Sequence, residues 1–270
     1  MRNEMRSLIM GIITMLTMST TASAQEFAVK QLNESPRHHE WVKVQSGENR
    51  IVHSFVAYPE QKENALAVIV IHENSGLTDW VRSFTDQLAA EGFLAIAPDL
   101  LSSFDDQRGQ TNDFDSSDDA KNAIYGLDQQ QVTNDLKAVQ EYITSVPSAN
   151  GKIAVIGFCW GGAQSFKYAA NGKELAGAFV FYGSPPEPAL IAGISTPVYG
   201  FYGENDQRIN ATIQETKKQM EENNKLYEYK IYPGAGHAFM RHGDDPAASE
   251  ENKSARNQSW IRLNQLLSNF

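Results

Sequence analysis

The sequence holds one cysteine, Cys159, in 270 residues. No disulfide can form within the chain, and a zinc site built on several thiolates is excluded. Positive charge is scarce: 23 Lys and Arg stand against 33 Asp and Glu, a formal net charge of -10. An acidic surface argues against nonspecific binding of nucleic acid or anionic membranes. No segment recurs at a fixed period, which excludes a repeat architecture. The most acidic stretch, SSFDDQRGQTNDFDSSDDA at 103–121, lacks the glycine and final glutamate that a calcium loop of the EF-hand kind requires. It reads as a solvated loop, possible cover for a site. What remains is ordinary globular composition, 41% hydrophobic and 21% charged, far from that of disordered chains.

The N-terminus reads as an export signal rather than as part of the fold. Arg2 and Arg6 precede a short apolar run at 8–18, and Ala22-Ser23-Ala24 has the small residues of a cleavage site. The run is too short to span a bilayer comfortably. The expected division is a signal peptide at 1–24 and a single domain at 25–270, periplasmic or secreted. A lone thiol in an oxidising compartment calls for burial or a use.

Residues 25–39 show no clear period and are expected to wrap the surface. Alternation at 41–45 and 50–57 about Ser46-Gly47-Glu48-Asn49 predicts a hairpin. The run ALAVIVIH at 65–72 predicts a buried parallel strand. Beyond it, strands at 93–97, 153–157, 176–182, 197–203 and 227–232 alternate with helices at 80–91, 129–145, 160–170, 209–222 and 248–267. Such alternation specifies an α/β fold with a mainly parallel sheet covered on both faces.

Residues 152–162 read KIAVIGFCWGG. A strand runs into a sharp turn at Cys159 and a helix follows, the G-x-nucleophile-x-G elbow with cysteine for serine. Gly157 and Gly161 relieve crowding about a strained nucleophile. The helix N-terminus favours a thiolate. A thiolate nucleophile needs a base, and the base an orienter. Later in the chain Asp206 follows one strand and His237, in PGAGH, follows another. Both lie beyond C-terminal strand ends, where open α/β sheets place their sites. Glu204 competes with Asp206 for the orienting role, and Asn205 and Asn210 are further candidates. Asp206 could instead cap the helix after it, and His242 rivals His237. After the run 65–72, the backbone N–H of Asn74 is the expected oxyanion donor, with that of Trp160. Glu73 then lies close to the thiol.

Four motifs, VIVIHE ending at Glu73, LAAEGFLAIAPDL at 88–100, GFCWGG about Cys159, and YGENDQ with YPGAGHAF about Asp206 and His237, make the chain resemble the dienelactone hydrolases (carboxymethylenebutenolidases), a family with the α/β-hydrolase fold. The resemblance implies attack by Cys159 on an ester or lactone carbonyl to give an acyl-enzyme, with His237 and Asp206 completing a triad. It implies that Glu73 takes the thiol proton when substrate binds, and that Arg241 holds a substrate carboxylate. Arg108 and Tyr125 are the plausible matches to the family's other carboxylate-binding residues. The expected activity is a cysteine-dependent hydrolase of small esters or lactones needing no cofactor or metal. The alternatives are a noncatalytic binding or sensor protein on the same fold, or an acyl transferase.

Overall fold

Ala65–Ile71 is buried along its whole length, and the sheet is arranged about it. Its side chains alternate between two apolar layers: Ala67, Ile69 and Ile71 join one, Val68 and Val70 the other. A strand buried on both faces needs helices on both faces, which is what the computed structural model contains. It describes residues 19–60 and 63–270. The charged and apolar segments of the expected export signal, at 1–18, lie outside the described residues.

The elements run α1 (Ser19–Glu34), β1 (His39–Ser46), β2 (Arg50–Ala57), β3 (Ala65–Ile71), α2 (Asp79–Ala90) and β4 (Leu94–Pro98). A 3-10 turn (Thr111–Asp113), α3 (Ser117–Tyr125), α4 (Gln129–Ser145), β5 (Ala149–Phe158), α5 (Trp160–Asn171), β6 (Leu175–Phe181) and α6 (Pro188–Ile191) follow. The chain ends with β7 (Val198–Gly203), α7 (Gln207–Glu222), β8 (Tyr227–Tyr232), α8 (Phe239–His242) and α9 (Glu250–Leu267). The eight strands form one sheet in the order β1-β2-β4-β3-β5-β6-β7-β8. β1 pairs with β2, and β2 with β4, antiparallel; every later pair is parallel. This is the α/β-hydrolase architecture expected from the alternation of elements.

On one face, α4 presents Val132, Leu136, Val139 and Ile143 at helical spacing, packed in the same layer as Phe166 and Ala169 of α5. Each such side chain stabilises the fold by about 1.5–3 kcal/mol relative to exposure. The other face is covered by Trp80, Val81, Phe84 and Leu88 of α2 with Ala255, Leu263 and Leu267 of α9.

Two segments differ from the sequence expectation. Residues 25–34 are helical within α1, not irregular. The helix packs on α2 through fully buried Ala28 and through Gln31 Oε1, which accepts from Ser83 Oγ at 2.5 Å and Gln87 Nε2 at 3.3 Å. The stretch read as a loop contains α3, whose N-cap Ser116 accepts a hydrogen bond from the Asp119 N–H. Two alanines and one isoleucine do its packing: Ala120, Ala123 and Ile124 are its buried positions.

Candidate active site

The C-terminal ends of five neighbouring strands each deliver one side chain. Glu73 lies just past β3, Cys159 past β5, Tyr182 past β6, Asp206 past β7 and His237 past β8. Cys159 sits at the head of α5 with φ 54° and ψ -113°, a conformation that costs an L-residue of order 1–3 kcal/mol. Tyr182 (φ 41°) and Ala238 (φ 59°) also have positive φ, so three of the non-glycine residues in that region of backbone space lie about this place.

The elbow is held by close backbone approaches. A Cβ on Gly157 would stand 1.9 Å from the Gly161 carbonyl oxygen, and one on Gly161 would stand 2.3 Å from the His72 oxygen and 2.4 Å from the Ile71 oxygen. The second contact brings the head of α5 against the chain leaving β3. The Trp160 ring stacks on the His72 ring there, with centroids 5.6 Å apart and planes 13° apart. His72 is fully buried, and burial lowers its pKa. Its Nε2 accepts from the Leu100 N–H at 3.2 Å. The proton therefore sits on Nδ1, which donates to the Glu73 carbonyl at 2.7 Å. The Trp160 N–H, first in α5, has no intrahelical acceptor by position. Asn74 extends its side chain to the Tyr125 hydroxyl, 3.1 Å away.

His237 Nδ1 lies 2.5 Å from Asp206 Oδ2, and its ring is near enough to Cys159 for the two to interact electrostatically. Burial works to lower its pKa, but the bond to Asp206 and the interaction with Cys159 prevail and raise it to about 9. Asp206 occupies the N-cap position of α7 yet makes no capping hydrogen bond, so its carboxylate serves the histidine. The competing residues have other partners. Glu204 Oε2 accepts from the Gly234 N–H at 2.8 Å, Asn205 Nδ2 donates to the Gly234 carbonyl, and Asn210 Nδ2 donates to the carbonyls of Gly203 and Glu204. They brace the two loops that carry Asp206 and His237. His242, on α8, is half-buried with its pKa lowered by burial and then by Arg241; the Asp206 bond belongs to His237.

Glu73 is buried, and its Oε2 accepts from Arg241 Nε at 2.7 Å. Its Oε1 makes no well-formed hydrogen bond among the described residues, while the carboxylate interacts with the buried Tyr182 hydroxyl. The acid expected near the thiol is thus engaged with the very residue expected to bind a substrate carboxylate. Arg241 rides on α8. Just past that helix, Asp244 accepts from Trp80 Nε1 at 3.1 Å and Gln87 Nε2 at 3.2 Å, and pairs with Arg256 at 2.6 Å. Arg108, in contrast, pairs with its neighbour Asp105 and stacks on Phe104 and Phe114. Tyr125 reaches the site through Asn74.

Tyr182 was not legible as a site residue. Its hydroxyl is fully buried without a well-formed hydrogen bond. Burial, then the Glu73 charge, raise its pKa well above the usual tyrosine value, so it remains an O–H. Its ring lies 5.0 Å from that of His237. The one available signal was its position beyond a strand end.

The profile of the dienelactone hydrolase family matches residues 52–270. This chain belongs to the dienelactone hydrolase family. A protein of Escherichia coli strain K12 is 32% identical over 250 residues, covering 81% of this chain and 90% of its own. One of Saccharolobus solfataricus is 30% identical over 248 residues, covering 80% and 93%. Both carry the name "Putative carboxymethylenebutenolidase". A crystal structure described as "Putative Dienelactone Hydrolase" from Klebsiella pneumoniae superposes with a TM-score of 0.76 at 25% identity, covering 87% of this chain and 99% of its own. As a dienelactone hydrolase family member, the chain is an enzyme of the carboxymethylenebutenolidase-like hydrolase class, and small esters or lactones suit it as substrates.

Proposed function

We propose that this family member hydrolyses carboxylic esters or lactones through an acyl-enzyme on Cys159. The observation that carries the reading is the Asp206–His237 bond beside Cys159, with the cysteine on a strained turn at a helix N-terminus. The thiolate attacks the carbonyl carbon, and the carbonyl π electrons move to oxygen. That oxyanion is taken by the N–H groups of Asn74 and Trp160. Collapse expels the leaving oxygen, which takes a proton from the His237 imidazolium. His237 then accepts a proton from water, the hydroxide attacks the thioester, and the thiolate departs.

The Glu73–Arg241 pair adds a condition. A substrate carboxylate reaching Arg241 competes with Glu73 for the guanidinium. Released, Glu73 can take the Cys159 proton, so the nucleophile forms when an anionic substrate is present. We further propose that residues 1–24 direct export and that the mature enzyme is one domain starting at Gln25, periplasmic or secreted. N-terminal sequencing of the protein recovered outside the cytoplasm checks this.

The central test is turnover of aryl esters and small lactones by the full chain. Wild type should show a burst of one leaving group per site, and alkylation of Cys159 or Cys159→Ala should reduce turnover to background. Activity that survives Cys159→Ala would sink the reading.

A further inference from the structure

The loop leaving β3 carries both Glu73 and Asn74, yet it has little regular backbone pairing: Gly76 N–H bonds Glu73 O at 3.3 Å and Thr78 N–H bonds Gly76 O at 3.0 Å. A loop with so few bonds of its own needs an outside support to keep two reactive groups in place. That support comes from the acidic stretch, which sequence alone read as solvated cover.

Thr111 opens the 3-10 turn in that stretch. Its hydroxyl donates to Asp99 Oδ1 at 2.7 Å and its backbone N–H donates to Asp99 Oδ2 at 2.6 Å. Asp99 is 2% exposed, directly follows β4, and also accepts from the Leu101 N–H at 3.1 Å. A hydroxyl has one proton. With that proton committed to Asp99, Thr111 Oγ1 presents its lone pairs to the Leu77 N–H, 2.9 Å away. The fit is close from the other side as well. Gly76 has φ +81°, and a Cβ there would stand 2.3 Å from Thr111 Oγ1 and 2.6 Å from its Cγ2. Gly76 is thus required both by its backbone and by the side chain seated on it. Fourteen positions after Thr111, Tyr125 meets the same loop at Asn74.

We propose that Thr111 is a positioning residue: anchored on Asp99, its hydroxyl holds the Glu73–Leu77 loop so that the Asn74 N–H and the Glu73 carboxylate face Cys159. The catalytic consequence rests on the roles proposed above for Glu73 and Asn74; the relay Asp99–Thr111–Leu77 does not. The valine side chain has nearly the shape of threonine's but can neither donate to Asp99 nor accept from Leu77, while the backbone N–H bond to Asp99 is kept. Serine can do both.

The test compares Thr111→Val and Thr111→Ser in the full chain, with turnover of the carboxylate-bearing ester mono-p-nitrophenyl succinate and amide exchange of Leu77 as readouts. In Thr111→Val, kcat should fall about tenfold or more while KM stays within about twofold, since misplacing reacting groups by an ångström costs up to about a hundredfold. Leu77 exchange should speed up. Thr111→Ser should restore kcat to within about threefold and keep Leu77 protected. Wild-type kcat in Thr111→Val overturns the proposal, as does a kcat loss of the same size in Thr111→Ser. If wild type fails to turn over any ester, the hydrolase reading falls, and the Leu77 amide alone judges the relay. Protection lost in Thr111→Val and kept in Thr111→Ser supports it; protection kept in both overturns it.

Discussion

Two carboxylates flank Cys159, and they are held in opposite ways. Asp206 meets His237 within the C-terminal third of the chain, 31 positions apart, on loops braced by Glu204, Asn205 and Asn210. Glu73 meets Arg241 across 168 positions, with one oxygen bonded and the other buried without a well-formed hydrogen bond among the described residues. A carboxylate with an unmet buried oxygen has something to gain by moving. A guanidinium whose side chain is 21% exposed can be reached by a ligand. The first pair has the construction of a fixed part and the second that of an exchangeable one.

The sharpest way to break this comparison is to remove the charge from each carboxylate in turn. Asp206→Asn keeps the shape but no longer fixes the imidazole tautomer, a change that costs about 10⁴ in kcat in serine triads. We expect a loss of 10³-fold or more on every ester tested. Glu73→Gln should cost less, about 10²-fold, the low end of what a general base of the proposed kind supplies. It should also leave the slow alkylation of Cys159 in substrate-free enzyme unchanged. Equal losses from the two variants, measured on one anionic ester, would end the distinction between them.

A smaller effect separates substrates. Arg241→Gln should lower kcat/KM for a carboxylate-bearing ester by about 10- to 100-fold, the range of a lost charge-assisted hydrogen bond at about 1.5–3 kcal/mol. A neutral ester of the same size should lose far less. Parallel kinetics on the matched pair decide it, and equal losses would mean that Arg241 does not read the substrate's charge.

The contrast between the pairs also explains what could be read from sequence. The elbow is written within eleven consecutive residues, KIAVIGFCWGG, because the strand, the crowding and the helix start are all local. Asp206 and His237 each follow a strand of the parallel sheet, so chain order alone places them at its C-terminal edge. Glu73 was legible as a position near the thiol, but its bond to Arg241 depends on how α8 sits, and α8 is four residues long with no periodic signal. Its placement comes from Asp244, which gathers Trp80, Gln87 and Arg256 from α2 and α9. Helix α1 escaped notice for a similar reason. Its hold on α2 uses Ala28 and the polar Gln31, with Leu32 only partly buried against the same layer, too narrow an apolar face to stand out as a stripe. The helix in the acidic stretch did leave a signal, the Ser116-x-x-Asp119 cap, overshadowed there by the density of aspartates.

The smallest expected effect tests whether the Asp206–His237 pair is fixed in the sense argued above. The His237 pKa is raised to about 9, with burial opposing and the bond to Asp206 and the interaction with Cys159 prevailing. A histidine whose folded pKa lies above its unfolded value of about 6.5 contributes stability that is fully present below pH 6.5. That contribution fades as pH rises and is gone above about 9. The thermal midpoint of wild type should therefore exceed that of His237→Gln by more at pH 6 than at pH 9.5. In Asp206→Asn the carboxylate that favours the imidazolium is gone, so the His237 titration midpoint, followed by ring-proton NMR, should fall below that of wild type. A midpoint that does not move in Asp206→Asn would show that the carboxylate does not set the charge on His237, and the two pairs beside Cys159 would lose the difference that gives them separate roles.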